Sequence, residues 1–278
     1  MRGLTGKTVL ITGAGRQKGL GEGIAKRFME EGCNVVIADL DKTSGSQFPE
    51  HGVATKSEME LVVANLNTSA VGKAISISCD VRKETDVEAA VAHTIEQFGS
   101  IDVLVNNAGI GYLMSPVVET NEEDWDAVLD VNLKGTFLAT KHAARAMIAQ
   151  NTGGRIINIS SQGGKSGFPH ASAYVSSKHG VIGFTRAVAI ELGSHGITVN
   201  AVCPNHVTTG LGSWQNDYFS KLLGLTLDEY MSAMKGRIPL GRTGLPSDIG
   251  NACAFLASED AQYITGESMN VSGGEETH

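Results

Sequence analysis

Apolar runs of four to six residues alternate with helical patterns along the whole chain, and no other feature of the sequence restricts the fold as much. The runs are Thr8–Thr12, Asn34–Asp39, Ala74–Cys79, Ile101–Asn106, Arg155–Ser160, Ile197–Val202 and Ser268–Val271. Several are apolar at successive rather than alternate positions, the pattern of strands covered on both faces, as in a parallel sheet. Helical periodicity is predicted over Glu22–Glu31, stopped by Gly32, over Asp86–Phe98 and over Ala171–Leu192. Thr85 with Glu88, and Thr120 with Glu123, have the spacing of capping boxes at helix starts. A β-α-β-α order with no break in composition and no internal repeat predicts one α/β unit over residues 1–278. Its core is a doubly wound parallel sheet of about seven strands with helices on both faces.

Two segments interrupt the alternation. Residues 41–56 are polar, with Gly45, Pro49 and Gly52, and are expected to form an inserted loop. Residues 206–245 follow the sixth run and carry Trp214, Tyr218, Phe219, Tyr230 and several leucines and methionines. An apolar segment leaving the carboxyl end of a parallel strand lies where such sheets bind ligands, so a substrate lid is expected there.

A formal net charge of −8 argues against general binding to nucleic acid or to an anionic membrane, because phosphate affinity rests on positive charge. A dinucleotide held by a few backbone N–H groups is compatible with it. Cys33, Cys79, Cys203 and Cys253 form no CxxC pair and three lie in or beside apolar runs, so free thiols are expected rather than disulfides or a metal site. No run approaches the roughly 18 apolar residues of a membrane span, and Met1–Lys7 lacks the apolar stretch of a signal peptide. A cytoplasmic, reduced setting is expected.

The first run leads into Gly13-Ala14-Gly15-Arg16-Gln17-Lys18-Gly19-Leu20-Gly21 and then a helical pattern. Glycines there let backbone N–H groups approach a pyrophosphate, and the helix N-terminus adds partial positive charge. Asp39 ends the second run, 20 residues beyond Gly19. A carboxylate at that position accepts hydrogen bonds from ribose hydroxyls and repels a 2′-phosphate, which favours NAD over NADP. Arg16 is the counter-evidence, since a guanidinium near the ribose could bind that phosphate. Asp80 could accept from an adenine amino group or serve as a turn residue, and Asn106-Asn107-Ala108-Gly109 supplies small residues at the end of the fourth run.

Tyr174 and Lys178 lie four apart on a predicted helix, hence on one face. A phenol titrates near 10. A neighbouring ammonium lowers that value, so the pair could take a proton from an alcohol or return it to a ketone. Ser161, just past the fifth run, could polarise a substrate oxygen. Asn132 sits inside a helical pattern where asparagine is unfavourable, and is expected to hold a water that relays protons through Lys178.

In order and spacing, the glycine-rich turn, Asp80, Asn106-Asn107-Ala108-Gly109, Asn132, Ser161, Tyr174-Val175-Ser176-Ser177-Lys178 and Pro204 resemble the motifs of the short-chain dehydrogenase/reductase family over nearly the whole chain. The resemblance implies a single-domain Rossmann fold with Asn132, Ser161, Tyr174 and Lys178 as the catalytic four. It implies dinucleotide contacts at Gly13, Arg16, Gly19, Leu20, Asp39, Asp80, Val81, Asn107, Ala108, Gly109, Tyr174 and Lys178. The backbone at Val207 and the hydroxyl of Thr209 would meet the carboxamide. It also implies a homotetramer or homodimer built through the helices after Thr120 and through Tyr174. Two departures stand out: five residues, not three, separate Gly13 from Gly19, and Asn205 replaces the glycine usual after Pro204.

The expected activity is hydride transfer between NAD(H) and a secondary alcohol or ketone. Similarity of the 206–244 region to sugar-alcohol and butanediol dehydrogenases points to a polyol, sugar or diol. His170, Asn205, His206, Trp214 and Gln215 are the candidate substrate contacts. A 3-oxoacyl thioester reductase using NADPH is the alternative on the same catalytic four. The long stretch from Asp39 to Asp80 also resembles members that keep NAD bound and recycle it with another redox cofactor. A non-catalytic dinucleotide sensor would not need all four residues.

Overall fold

The computed structural model describes all residues except 43–52, 69–70, 112 and 208. Its elements are β1 (Thr8–Thr12), α1 (Leu20–Glu30), β2 (Asn34–Asp39), α2 (Lys56–Leu66), β3 (Ala74–Ser78), α3 (Glu84–Phe98), β4 (Val103–Asn106), α4 (Glu122–Leu129), α5 (Gly135–Gln150), β5 (Gly154–Ile159), α6 (Ser172–Leu192), β6 (Ile197–Pro204), α7 (Gly210–Leu222), α8 (Leu227–Arg237), α9 (Pro246–Ala257) and β7 (Ser268–Val271). The seven strands form one sheet in the order β3-β2-β1-β4-β5-β6-β7, and every pairing is parallel. This is the doubly wound Rossmann arrangement that the alternation of patterns predicts.

The strand runs read as continuous apolar stretches because both faces are covered. Val9 and Ile11 of β1 point into a layer with Ile24 and Phe28 of α1 and Ile249 and Cys253 of α9. Leu10, between them, faces Val87 and Val91 of α3 and Leu138 and Met147 of α5. β1 sits between β2 and β4, with Ile11 opposite Ile37 on one side and Val105 on the other. α1 and α9 meet at backbone distance: a Cβ on Gly23 would lie 2.4 Å from Pro246 Cβ. All four cysteines are buried free thiols.

Several expected boundaries differ. The helix expected from Asp86 begins at Glu84 with Lys83 as N-cap, and Thr85 and Glu88 form no capping box. The Asp86 carboxylate accepts instead from the Asp80 backbone N–H at 3.2 Å. α4 is capped by Asn121, which accepts from Asp124, one residue after the expected Thr120 and Glu123 pair. Thr120 is occupied elsewhere, donating to the Pro116 carbonyl. Of the expected loop over 41–56, Gly45, Pro49 and Gly52 lie outside the described residues, and helix α2 begins at Lys56. The 206–245 segment folds as α7 and α8, closed by a parallel bridge between Val207 and Gly244.

Candidate active site

β1 and β4 are neighbours where the strand order turns back, and the loops after them diverge. The crevice beyond the strands' carboxyl ends is the general ligand position of such sheets. Here it is a cavity of about 890 Å³, near the upper end of the roughly 300–1,000 Å³ of ligand pockets. All of the expected dinucleotide contacts, from Gly13 to Thr209, lie on its wall, as do Ser161, Tyr174 and Lys178.

The glycine-rich turn has a definite shape. Gly13 is left-handed (φ +66°), and a Cβ there would fall 2.5 Å from Ala108 Cα. A Cβ on Gly21 would fall 2.5 Å from Ala14 Cα. Only glycine lets α1 approach β1 and the fourth-strand loop so closely. α1 starts at Leu20 with Gly19 as an N-cap that provides no side-chain acceptor. Its first N–H groups therefore stay available to an anion, and Leu20 and Gly21 both line the cavity. The two extra residues are accommodated by Lys18 in a left-handed conformation (φ 55°) and a Gly19 N–H to Arg16 carbonyl bond of 3.2 Å. From outside the turn, the Glu58 carboxylate accepts from the Gln17 N–H and Met59 packs on Gly15. Helix α2 thus braces the turn. The spacing of Thr55 and Glu58 signals that helix, and the Thr55 hydroxyl accepts from the Glu58 N–H at its start.

Asp39 ends β2 at the cavity wall. Its two carboxylate oxygens accept from the Gly15 and Leu40 N–H groups, each at 2.7 Å. Burial raises its pKa to about 6, against these two bonds and the charge of Arg16. Asp80 also faces the cavity but is held by Arg82, through the backbone N–H and a two-pronged guanidinium contact at 2.8 and 2.7 Å. It lines the wall and shapes a turn at once. Asn107 spans β1 and β4, donating its amide to the carbonyls of Thr12 and Gly13.

Tyr174 and Lys178 share one face of α6, and the Lys178 Nζ lies 5.7 Å from the centroid of the Tyr174 ring. Nζ donates to the Ile159 carbonyl at 2.8 Å, and the Ser160 hydroxyl ties the Lys178 carbonyl to the end of β5. Burial lowers the ammonium's pKa to about 8. Burial raises the Tyr174 phenol above its usual value, opposed by its hydrogen bond to Ser161. The lowering expected from Lys178 is not realised in the protein alone, where desolvation of the phenolate prevails over the Ser161 hydrogen bond.

Asn132 is 1% exposed and sits in a π-helical turn, Asp130–Lys134, between α4 and α5. Such turns recur at functional sites. Its side chain does not line the cavity. Its Oδ1 accepts from the Ile110 N–H at 2.8 Å, and its Nδ2 donates to the Ile110 carbonyl and to the Ser177 hydroxyl. Both amide hydrogens are engaged, so Asn132 splints the β4 loop to α6, a connection the sequence did not reveal. A Cβ on Gly109 would come within 3.3 Å of Asn132 Oδ1 and 3.4 Å of Lys178 Nζ, so the glycine keeps the space between them open.

Of the candidate substrate contacts, Asn205, His206 and Gln215 line the cavity, while His170 and Trp214 do not. His170 instead pairs with the Tyr218 hydroxyl at 2.9 Å. Asn205 bonds to Glu275 of the C-terminal tail. Two wall features are absent from the sequence reading: the aromatic contacts Tyr174–Phe168–Phe219, and Glu276 of the tail. Phe219 and Glu276 come from segments remote in sequence from Tyr174, and nothing local to Phe168 marks its contact with the ring.

Residues 13–276 match the family model described as enoyl-(acyl carrier protein) reductase. A short-chain dehydrogenase/reductase of Armillaria gallica is 40% identical over 97% of this chain and 95% of the relative. The chain belongs to the short-chain dehydrogenase/reductase family. This family member is also 37% identical to galactitol 2-dehydrogenase of Agrobacterium fabrum, over 98% of both chains. It is 39% identical to a 3-oxoacyl-acyl-carrier-protein reductase of Staphylococcus aureus, over 96% and 97%. Among solved structures, actinorhodin polyketide ketoreductase with NADPH superposes with a TM-score of 0.85 at 35% identity, covering 100% of both chains. Levodione reductase superposes at 0.84 and 31% identity, covering 98% of both. As a short-chain dehydrogenase/reductase the chain is an oxidoreductase, and no helix among its described residues is long and apolar enough to cross a membrane.

Proposed function

We propose that this enzyme transfers a hydride between NAD(H) and a secondary alcohol or ketone, with Tyr174 as the general acid and base. The carrying observation is that Ser161, Tyr174 and Lys178 line the same cavity as Asp39 and the uncapped start of α1. The glycine cradle suits a dinucleotide: each added Cβ at Gly13 or Gly21 would intrude on backbone, so the chain holds its N–H groups open to a pyrophosphate. A nicotinamide bound beside Tyr174 supplies or accepts the hydride.

In this reading Ser161 donates to the substrate oxygen and Tyr174 gives that oxygen its proton during ketone reduction, or takes it during alcohol oxidation. Lys178 holds the nicotinamide ribose, and its charge favours the phenolate once an oxidised nicotinamide adds its own. Asn132 acts through Ile110 and Ser177 as a positioning residue.

NAD(H) is preferred over NADP(H) because the Asp39 carboxylate, with lone pairs beyond the two its backbone partners use, would accept ribose hydroxyls and repel a phosphate. The NADPH of the polyketide ketoreductase structure is the contrary precedent. Galactitol 2-dehydrogenase supports the narrower expectation of a polyol, sugar or diol, and the Staphylococcus relative supports a 3-oxoacyl thioester. Homo-oligomerisation through α5 and α6 belongs to the same proposal.

Turnover of NADH and NADPH against ketones, diketones and oxoacyl thioesters, and of NAD+ against alcohols and polyols, tests the reading. Preference for NADPH in the wild type would overturn the role given to Asp39.

A further inference from the structure

The substrate end of the cavity continues past Tyr174 into a corridor between α7 and α8. The Phe168 ring stands 6.3 Å from that of Tyr174, and Phe219 stands 6.0 Å from Phe168. Phe219 and Leu222 of α7 and its C-cap Leu223 are spaced i, i+3 and i+4, so they form one stripe leading away from the catalytic tyrosine. Leu225 in the following turn and Met231 and Met234 of α8 face the same space. The stripe is left wet: Leu222, Leu223 and Leu225 are 48%, 61% and 38% exposed. A contiguous apolar patch that opens onto a binding cavity marks a surface meant to be covered.

Three polar groups along the way have protein partners, while His206, Asn216 and Tyr230 add further polar atoms to the wall. Gln215 donates to the Gly111 carbonyl, Arg237 pairs with Glu275 at 2.7 Å, and the Glu276 carboxylate meets the His278 ring at 2.7 Å. A polyol brings a hydroxyl on every carbon, and each hydroxyl moved into an apolar corridor without a partner costs free energy.

We infer that the substrate is a secondary alcohol or ketone bearing an extended apolar tail, and that this tail lies along the Phe219–Leu222–Leu223 stripe. The inference rests on the hydride-transfer reading and narrows it, away from polyols. A second protomer or another surface covering the leucines is the competing account of their exposure.

Straight-chain alcohols from propan-2-ol to octan-2-ol, oxidised with NAD+, test it beside a panel of sugar alcohols. The expected kcat/KM rises about two- to fourfold for each added methylene until the corridor is filled. L223S and L222S should flatten that rise. The comparison is a slope within each protein, so a variant with lowered overall activity still reads out, and the wild-type slope decides even if a variant fails to fold. A flat or falling wild-type series overturns the inference, as does a sugar alcohol with a higher kcat/KM than the best 2-alkanol. A steep wild-type slope left unchanged in both folded variants also overturns it, because the tail then lies elsewhere. No oxidation or reduction of any substrate class would instead remove the hydride-transfer reading itself.

Discussion

Lys178 is a cation held where water is scarce, 5% exposed, with one carbonyl partner. Its pKa, near 8 in the fold, is depressed from about 10.4 in an open chain. The folded protein therefore binds fewer protons than the unfolded chain between those two values. The burial cost is in full force below pH 8 and fades as pH rises toward 10.4. Lys178→Met, which keeps the apolar stem, should stabilise the protein at pH 7 by on the order of 1–3 kcal/mol while removing activity. Thermal melts at pH 7 and pH 10 check this, and the gain should shrink at the higher pH. Asp39 works in the opposite sense, its pKa raised to about 6. NADH binding that depends on its carboxylate should weaken as pH falls through 6. Fluorescence titration at pH 5 and pH 7.5 measures it, with Asp39→Asn expected to be weaker and nearly independent of pH. These environments were not legible in the sequence. Tyr174 and Lys178 could be put on one face from their spacing, but the dryness that raises one pKa and lowers the other comes from Phe168, Ile159 and the loops around them.

Among the elements, the strands were the most legible, because burial on both faces leaves an unbroken apolar run. Thr8–Thr12, Asn34–Asp39 and Ser268–Val271 have the bounds the pattern predicts. Helix starts were less so. A Ser/Thr-x-x-Glu spacing describes Thr85 and Glu88 as well as it describes Thr55 and Glu58, yet only the second marks a helix start. The competing acceptor Asp86 and the turn at Asp80 decide the first case. The approach of α1 to β1 yields a prediction at this scale. Gly21→Ala would press a methyl carbon to 2.5 Å from Ala14 Cα and 2.7 Å from the Gly13 carbonyl oxygen. Backbone must shift, at a cost of about 1–3 kcal/mol, and the phosphate cradle shifts with it. Denaturant unfolding and NADH titration should both show the loss, and wild-type values in both would contradict the cradle's geometry.

The whole molecule presents an apolar face it does not itself cover. Phe137 of α5 and Phe184 of α6 meet edge to face at 6.4 Å, and Phe137, Ile148 and Ile190 remain 44%, 38% and 84% exposed. If these helices pair with a second copy, light scattering should give a multiple of the protomer mass, and Phe137→Asp should lower it. A monomeric wild type would contradict the expected assembly. Fold class was readable at this scale from alternation alone, and the motif residues marked part of the cavity wall but not the whole of it. The wall draws on the loops after β1 and β4, on β2, β5 and β6, on α1, α6, α7 and α8, and on the C-terminal tail, and the tail residue Glu276 carries no signal near the motifs it joins.

One comparison bears on the core of the account: steady-state hydride transfer by the wild type and by Tyr174→Phe, followed at the nicotinamide absorbance, with NADH affinity measured on the same samples. Removing only the hydroxyl should lower kcat by about 10²–10⁴ while NADH binds as in the wild type. Turnover within a few-fold of wild type, with affinity unchanged, would show that the proton passes through some other group.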